Sequence, residues 1–159
     1  MIPTPSEAVI AETPAQRAVS EHLRLLVAGD IDAWSLLFAP DGLLTFPFAP
    51  AGMPAEVTGR PALAAHMRNF PETFDVRAVD LRFVESGDPN VAIAEFGLTG
   101  HAIPTGKPYE QRCISVVRTD SEGLIVRYDD YWNPLTAVQA LAADDGAVAD
   151  QGVARSFGA

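Results

Sequence analysis

Residues Leu124 to Trp132 alternate in type with a period of two, and a carboxylate falls in the middle of the apolar side. A strand over this stretch places Leu124, Val126, Tyr128, Asp130 and Trp132 on one face, and Ile125, Arg127, Asp129 and Tyr131 on the other. Ionised carboxylates are rarely buried without a partner, because losing water disfavours the charge. Asp129 has a simple explanation, a solvated position beside Arg127. Asp130 has two: a structural group that pairs with a buried Arg or His or caps the turn at Asn133-Pro134, or an acid or base inside a pocket.

The segments before this strand divide into helices first and strands afterwards. Residues 1–12 read as an irregular arm. Thr13, Pro14 and Gln16 then form the start of a helix, with a capping box and proline at the first position. Ala15, Ala18, Val19, His22, Leu25 and Leu26 recur at helical spacing, and Gly29 closes the helix. Asp30 caps a second, shorter helix with Ala33, Trp34, Leu37 and Phe38 as its apolar side, ended by a Pro40-Asp41-Gly42 turn. Residues 43–48 form an edge or bulged strand, because Pro47 cannot donate to a ladder. After a loop at 49–54 and a short strand at Glu56–Thr58, Pro61 starts a third helix. Leu63, His66, Met67 and Phe70 line its inner face, and Pro71 stops it.

Three strands follow, over 74–85, 91–101 and 109–119, the first with a bulge near Ala78-Val79. The last strand then leads through Asn133-Pro134 into a helix ending near Leu141. Residues 142–159 read as a mobile tail. This order implies one α+β domain over 13–141, a curved, mostly antiparallel sheet with helices on one face and an apolar pocket between the layers.

Bulk properties exclude several functions. Acids outnumber bases 21 to 11 and the net charge is −10, which opposes nucleic acid or an anionic membrane as a partner. No apolar run approaches the roughly 20 residues a membrane span needs. The acidic N-terminal stretch lacks the basic start of a secretory signal, so the expected location is cytoplasmic. The lone cysteine, Cys113, forms no internal disulfide and reads as a small core residue, with a nucleophilic role as the lesser alternative. Three scattered histidines show no metal-ligand spacing. There is no phosphate-binding glycine loop and no Gly-x-Ser-x-Gly elbow.

Three groups of motifs together resemble a known superfamily: Gly29-Asp30 through Phe46, Thr58 through His66, and the final Tyr128-Asp-Asp-Tyr-Trp-Asn-Pro-Leu135. Their order and spacing, over about residues 14 to 141, are similar to the NTF2-like superfamily in its SnoaL-like and ketosteroid-isomerase-like branch. Residues 59–68, 87–90 and 129–141 most resemble the phenazine-biosynthesis A/B group. The resemblance implies a cone-shaped pocket, a homodimer built through the sheet, a small-molecule substrate, and no metal or organic cofactor. It also implies that His66 and Asp130 act on the substrate, although the family carboxylate is the longer Glu. Ketosteroid isomerisation is not expected, since the three functional positions of that enzyme correspond here to Phe46, His22 and Ser115.

The reading that joins these observations is cofactor-free acid/base chemistry on a small, partly apolar, carbonyl-bearing or cyclic substrate. Asp130 would sit among Tyr128, Trp132, Phe46 and Phe48, where desolvation raises a carboxyl pKa toward neutrality. His66 would hold the opposite protonation state. Each neighbour also has a plainer role. His66 and His22 could be core histidines; Trp34, Phe70 and Met67 are core first and pocket lining second. Glu95 could line the pocket or pair with an arginine such as Arg112. His101 reads as solvated, and Tyr131 as packing or a dimer face. The alternative function is a non-catalytic binding or association module.

Overall fold

The computed structural model describes residues 12–143 and residue 156. The expected N-terminal arm and C-terminal tail therefore lie, but for residues 12, 142, 143 and 156, outside the described residues. Helix α1 (Pro14–Ala28) begins as its sequence dictates: the Thr13 hydroxyl accepts from Gln16 N–H, and the Gln16 side chain accepts from Thr13 N–H. Its inner residues, Ala15, Ala18, Val19, His22, Leu25 and Leu26, are all buried. Gly29 ends it at a φ of 73°, and Asp30 caps α2 (Ile31–Ser35) through Ala33 N–H at 3.1 Å.

Among the described residues, six strands form one open, curved sheet in the order β2-β1-β6-β5-β4-β3. They are β1 (Phe38–Thr45), β2 (Glu56–Thr58), β3 (Phe74–Val84), β4 (Val91–Ala102), β5 (Pro108–Thr119) and β6 (Ile125–Trp132). Only β1 and β6 pair in parallel; the other neighbours are antiparallel. The α1 helix packs across β3, β4 and β5, so the apolar core fills the concave side. Helix α3 (Arg60–Met67) is tied to β1 by Arg60 Nε, which donates to the Phe38 carbonyl at 2.8 Å. Helix α5 (Pro134–Leu141) packs on β5 and β4.

Three expectations need correction. The second helix stops at Ser35 and Phe38 already belongs to β1, so Pro40-Asp41-Gly42 is not a turn but the irregular part of that strand. Gly42 is required there, since a methyl group on it would lie 2.8 Å from the Ile125 carbonyl oxygen. Pro71 does not end the third helix; it opens a separate one-turn helix, α4 (Phe70–Thr73), from a first-turn position where its missing N–H costs nothing. The bulge expected near Ala78-Val79 is present: the β3 register shifts between Val79 and Arg82, where Asp80 takes a positive φ of 55°.

The β6 pattern is also out of phase at its start. Ile125 is fully buried while Val126 is 38% exposed, because Val126 is the extra residue where the β5–β6 register shifts. Beyond it the inward face is Tyr128, Asp130 and Trp132 as expected. Asp129 points outward yet is buried: it accepts from the Thr45 hydroxyl at 2.7 Å, from Arg127 at 3.0 Å and from Arg118 at 3.2 Å. Burial pushes its pKa up, but the bonds from Arg127 and Thr45 and the charges of both arginines hold it below the usual range. It is an ion-paired group, not a solvated one.

The pairing of β3 with β4 depends on close contact at one glycine. Gly100 faces Val76 across β3–β4, and a methyl group on it would lie 1.9 Å from the Asp75 carbonyl oxygen. Gly100→Ala is expected to part the two strands and lower the urea midpoint at unchanged slope, by about 3 kcal/mol in stability. Gly106→Ala has a positive φ but nothing within 4 Å, and should lose only about 1 kcal/mol.

Candidate active site

A cavity of about 350 Å³ lies between the concave sheet and the helices. Apolar side chains from every layer line it, including Leu26, Phe46, Met53, Phe70, Phe74, Phe96, Leu98 and Trp132. Helix α5 closes one side with Pro134, Ala137, Val138 and Leu141. Polar groups are few: His22 from α1, His66 from α3, Tyr109, Gln111 and Cys113 from β5, Asp130 from β6, and Asn69 and Thr73.

Asp130 faces this cavity because Tyr128, Asp130 and Trp132 share the inner face of β6. Its accessible surface opens onto the hollow. Across the sheet it is opposite Ser115, but Ser115 bonds instead to the Tyr128 hydroxyl at 2.7 Å. Loss of water raises the Asp130 pKa to about 7, and no hydrogen bond or charge among the described residues offsets that rise. The acid thus titrates near neutrality. Its charge in turn contributes, after burial, to the raised pKa values of Tyr128, Tyr109 and Cys113.

The two histidines differ. His66, in the last turn of α3, is half-buried and packs at a tilt against Phe46 at 5.1 Å between ring centroids; desolvation lowers its pKa. Phe46 also meets Trp132 at 6.4 Å, so one aromatic wall joins the His66 helix to the Asp130 strand. His22 is buried, accepts at Nδ1 from the Trp34 indole N–H at 2.7 Å, and has its pKa lowered by burial to about 4. Cys113 lines the cavity, but burial pushes its thiol well up, which removes the thiolate a nucleophile needs.

Six of the sequence-selected residues meet here: Asp130, His66, His22, Phe46, Phe70 and Trp132. Four do not. Trp34 and Tyr128 are fully buried beneath the cavity, tied to His22 and Ser115 respectively. Phe48 is 56% exposed and packs on Tyr131 at 5.6 Å, because the chain turns after Phe46 and carries it to the outer side. Glu95 points to the outer face of β4, where it pairs with Arg82 and not Arg112. Phe48 and Glu95 border a shallower outer depression of about 440 Å³, which lacks an unpaired acid.

Sequence reading passed over Tyr109 and Gln111. Gln111 is buried and fully engaged: its amide donates to the Tyr109 hydroxyl at 3.2 Å and to the Asn133 carbonyl at 2.9 Å, and accepts from Asn133 N–H at 2.9 Å. The start of α5 is thereby fixed to the cavity wall. Both residues are in phase with Cys113 and Ser115 along β5, the signal that would have found them.

Comparison with known proteins gives concordant results. The SnoaL-like domain family matches residues 19–128. An uncharacterised PhzA/B-like protein of Pseudomonas aeruginosa is 44% identical over 133 residues, covering 84% of this chain and 94% of that protein. A candidate isomerase from Bacillus subtilis has a crystal structure that superposes with a TM-score of 0.77 at 33% identity, covering 82% of this chain and 94% of its own. A Mycobacterium tuberculosis protein, solved in complex with estradiol-17β-hemisuccinate, shares the fold at a TM-score of 0.68 and 22% identity, covering 77% and 95%.

The two large pKa shifts that bear on the acid to neutral range, those of Asp130 and His22, oppose one another in stability. Asp130 is raised to about 7 in the native state, so its contribution is present below its ordinary value and is lost as pH rises toward 7. His22 is lowered to about 4, so its contribution is present above 6.5 and is lost as pH falls toward 4, with His66 shifted the same way. Across about pH 4 to 6.5 the native state holds one extra proton on Asp130 and one fewer on His22, and the slopes offset. Asp130→Asn removes one side of that balance. Its stability should climb with pH over this window by up to about 1.4 kcal/mol per unit, and exceed the parent above pH 7. Urea midpoints across this range read the effect; parallel curves for parent and variant refute it.

Proposed function

Since the chain belongs to the SnoaL-like family of the NTF2-like fold, we propose that it is a cofactor-independent acid/base enzyme acting on a small, partly apolar, carbonyl-bearing or cyclic metabolite. One observation carries this reading: an unpaired carboxyl, titrating near neutrality, shares an apolar cavity with a neutral, half-buried histidine. Asp130 and His66 are the proton-transfer groups. A carboxyl with a pKa of about 7 is effective in either direction at neutral pH. The pair works with one proton between them, one group removing a proton beside a carbonyl while the other delivers one to the oxygen. Enolisation, double-bond migration and aldol-type ring closure all use that exchange.

The surroundings suit this chemistry. The apolar lining excludes water from an enol intermediate and strengthens each polar contact within. A relative adds support: the 33% identical Bacillus subtilis protein is a candidate isomerase.

A direct test uses 2-tetralone, a bicyclic ketone with acidic α-protons, and follows its deuterium exchange by proton NMR. The parent protein should accelerate exchange, and Asp130→Asn and His66→Ala should each remove about 100-fold or more of that acceleration. The rate should also fall as pH rises past about 7, because the single proton leaves the pair whichever group holds it. Undiminished exchange in both variants refutes the assignment. Binding of tetralone without any acceleration would point instead to a non-catalytic binding module.

We also infer a homodimer through the outer sheet face. Val84 and Ile114 are 46% and 45% exposed there, beside Ile93, Val116 and the Phe48–Tyr131 pair. Contiguous apolar surface of this kind marks an interface. Ile114→Asp should convert a dimer to a monomer in sedimentation equilibrium; an unchanged mass refutes the placement.

A further inference from the structure

Trp34 lies outside the cavity, yet it dictates what one cavity group can do. Its indole N–H donates to His22 Nδ1 at 2.7 Å. A neutral imidazole carries one N–H, so occupation of Nδ1 as an acceptor puts the proton on Nε2. His22 lines the cavity, and no buried side-chain nitrogen or oxygen among the described residues lacks a partner, so Nε2 opens into the hollow. The ring is held in orientation on its other side by Tyr128, whose centroid is 4.8 Å away, and Tyr128 is itself fixed by Ser115. Burial keeps the imidazole neutral far below physiological pH.

We propose that Trp34 locks His22 as a fixed, neutral hydrogen-bond donor facing the cavity, and that this donor selects ligands carrying an acceptor oxygen, such as a ketone, ester or enolate, at that wall. The inference rests on the cavity being the ligand site and adds a division of labour within it. His22 neither removes nor delivers a proton; it holds one in place. A ligand oxygen there gains a pre-oriented donor in a medium of low dielectric. A ligand lacking an acceptor leaves the N–H unsatisfied and binds about tenfold more weakly for its size. Trp34 is a positioning residue, acting only through His22.

Two measurements test this. Ring-nitrogen NMR of the ligand-free protein at pH 7 should find His22 wholly as the Nε2–H tautomer. In Trp34→Phe, which removes the N–H but keeps a ring, part of the population should shift to Nδ1–H. Binding of 2-tetralone and of naphthalene then separates the donor from the hydrocarbon contact. The parent should favour the ketone; His22→Phe should lose about tenfold for the ketone and under about twofold for naphthalene, and His22→Gln should recover part of the preference through its amide. An Nδ1–H or doubly protonated His22 in the parent overturns the proposal, even if Trp34→Phe fails to fold. Equal losses for both compounds assign His22 to packing and overturn it too. Equal affinity of the parent for both refutes the donor but leaves the cavity as a binding site. If neither compound binds, the cavity reading fails and the donor with it.

Discussion

An acid held among hydrocarbon without a counter-charge governs this protein. Taking water from a carboxylate is costly, and a structure ordinarily answers with an arginine, a lysine or a set of N–H groups. The same chain supplies that answer one residue away. Asp129 receives two arginines and a threonine hydroxyl, and its pKa stays low. Asp130 receives none of these, and its pKa rises to about 7. Adjacent residues of one type thus become an ion-paired anion and an unpaired acid of raised pKa, because strand geometry turns them to opposite faces.

The hollow that isolates Asp130 comes from curvature. A flat sheet would pack directly on α1 and leave no space. Here β1, β3 and β6 each carry a register shift, and β4 approaches β3 closely at Gly100. Helix α5 then closes the side that the open sheet leaves, fixed at its start by Gln111. Near its end the Thr105 hydroxyl and the Lys107 ammonium donate to the carbonyls of Ala140 and Ala142. His22, His66 and Asp130 therefore sit on helices and a strand and not on loops.

The strong local signals were legible in the sequence. Thr13-Pro14-Gln16, Asp30 and Asn133-Pro134 each opened a helix where expected, because capping depends on residues within one turn. The inward run Tyr128, Asp130, Trp132 was legible for a similar reason, since period two is enforced by the strand itself. Errors gathered where chain geometry leaves its period. Val126 misled because an extra residue in β6 reverses the side chains before it. Phe48 misled because the turn after Phe46 carries it across the sheet, and Glu95 because both faces of β4 are apolar.

What the sequence determined alone was the class of fold, the order of its helices and strands, the family motifs, and the identity of one suspicious acid. These follow from local rules: caps, periods and spacing. Tertiary structure decided the rest. It gave Asp129 its arginines and withheld them from Asp130, placed Trp34 where it fixes the tautomer of His22, and joined Tyr109 to α5 through Gln111. Each of those outcomes depends on groups distant in sequence meeting at hydrogen-bond range, and on how much water the final packing leaves between them. Periodicity along a chain carries no record of either.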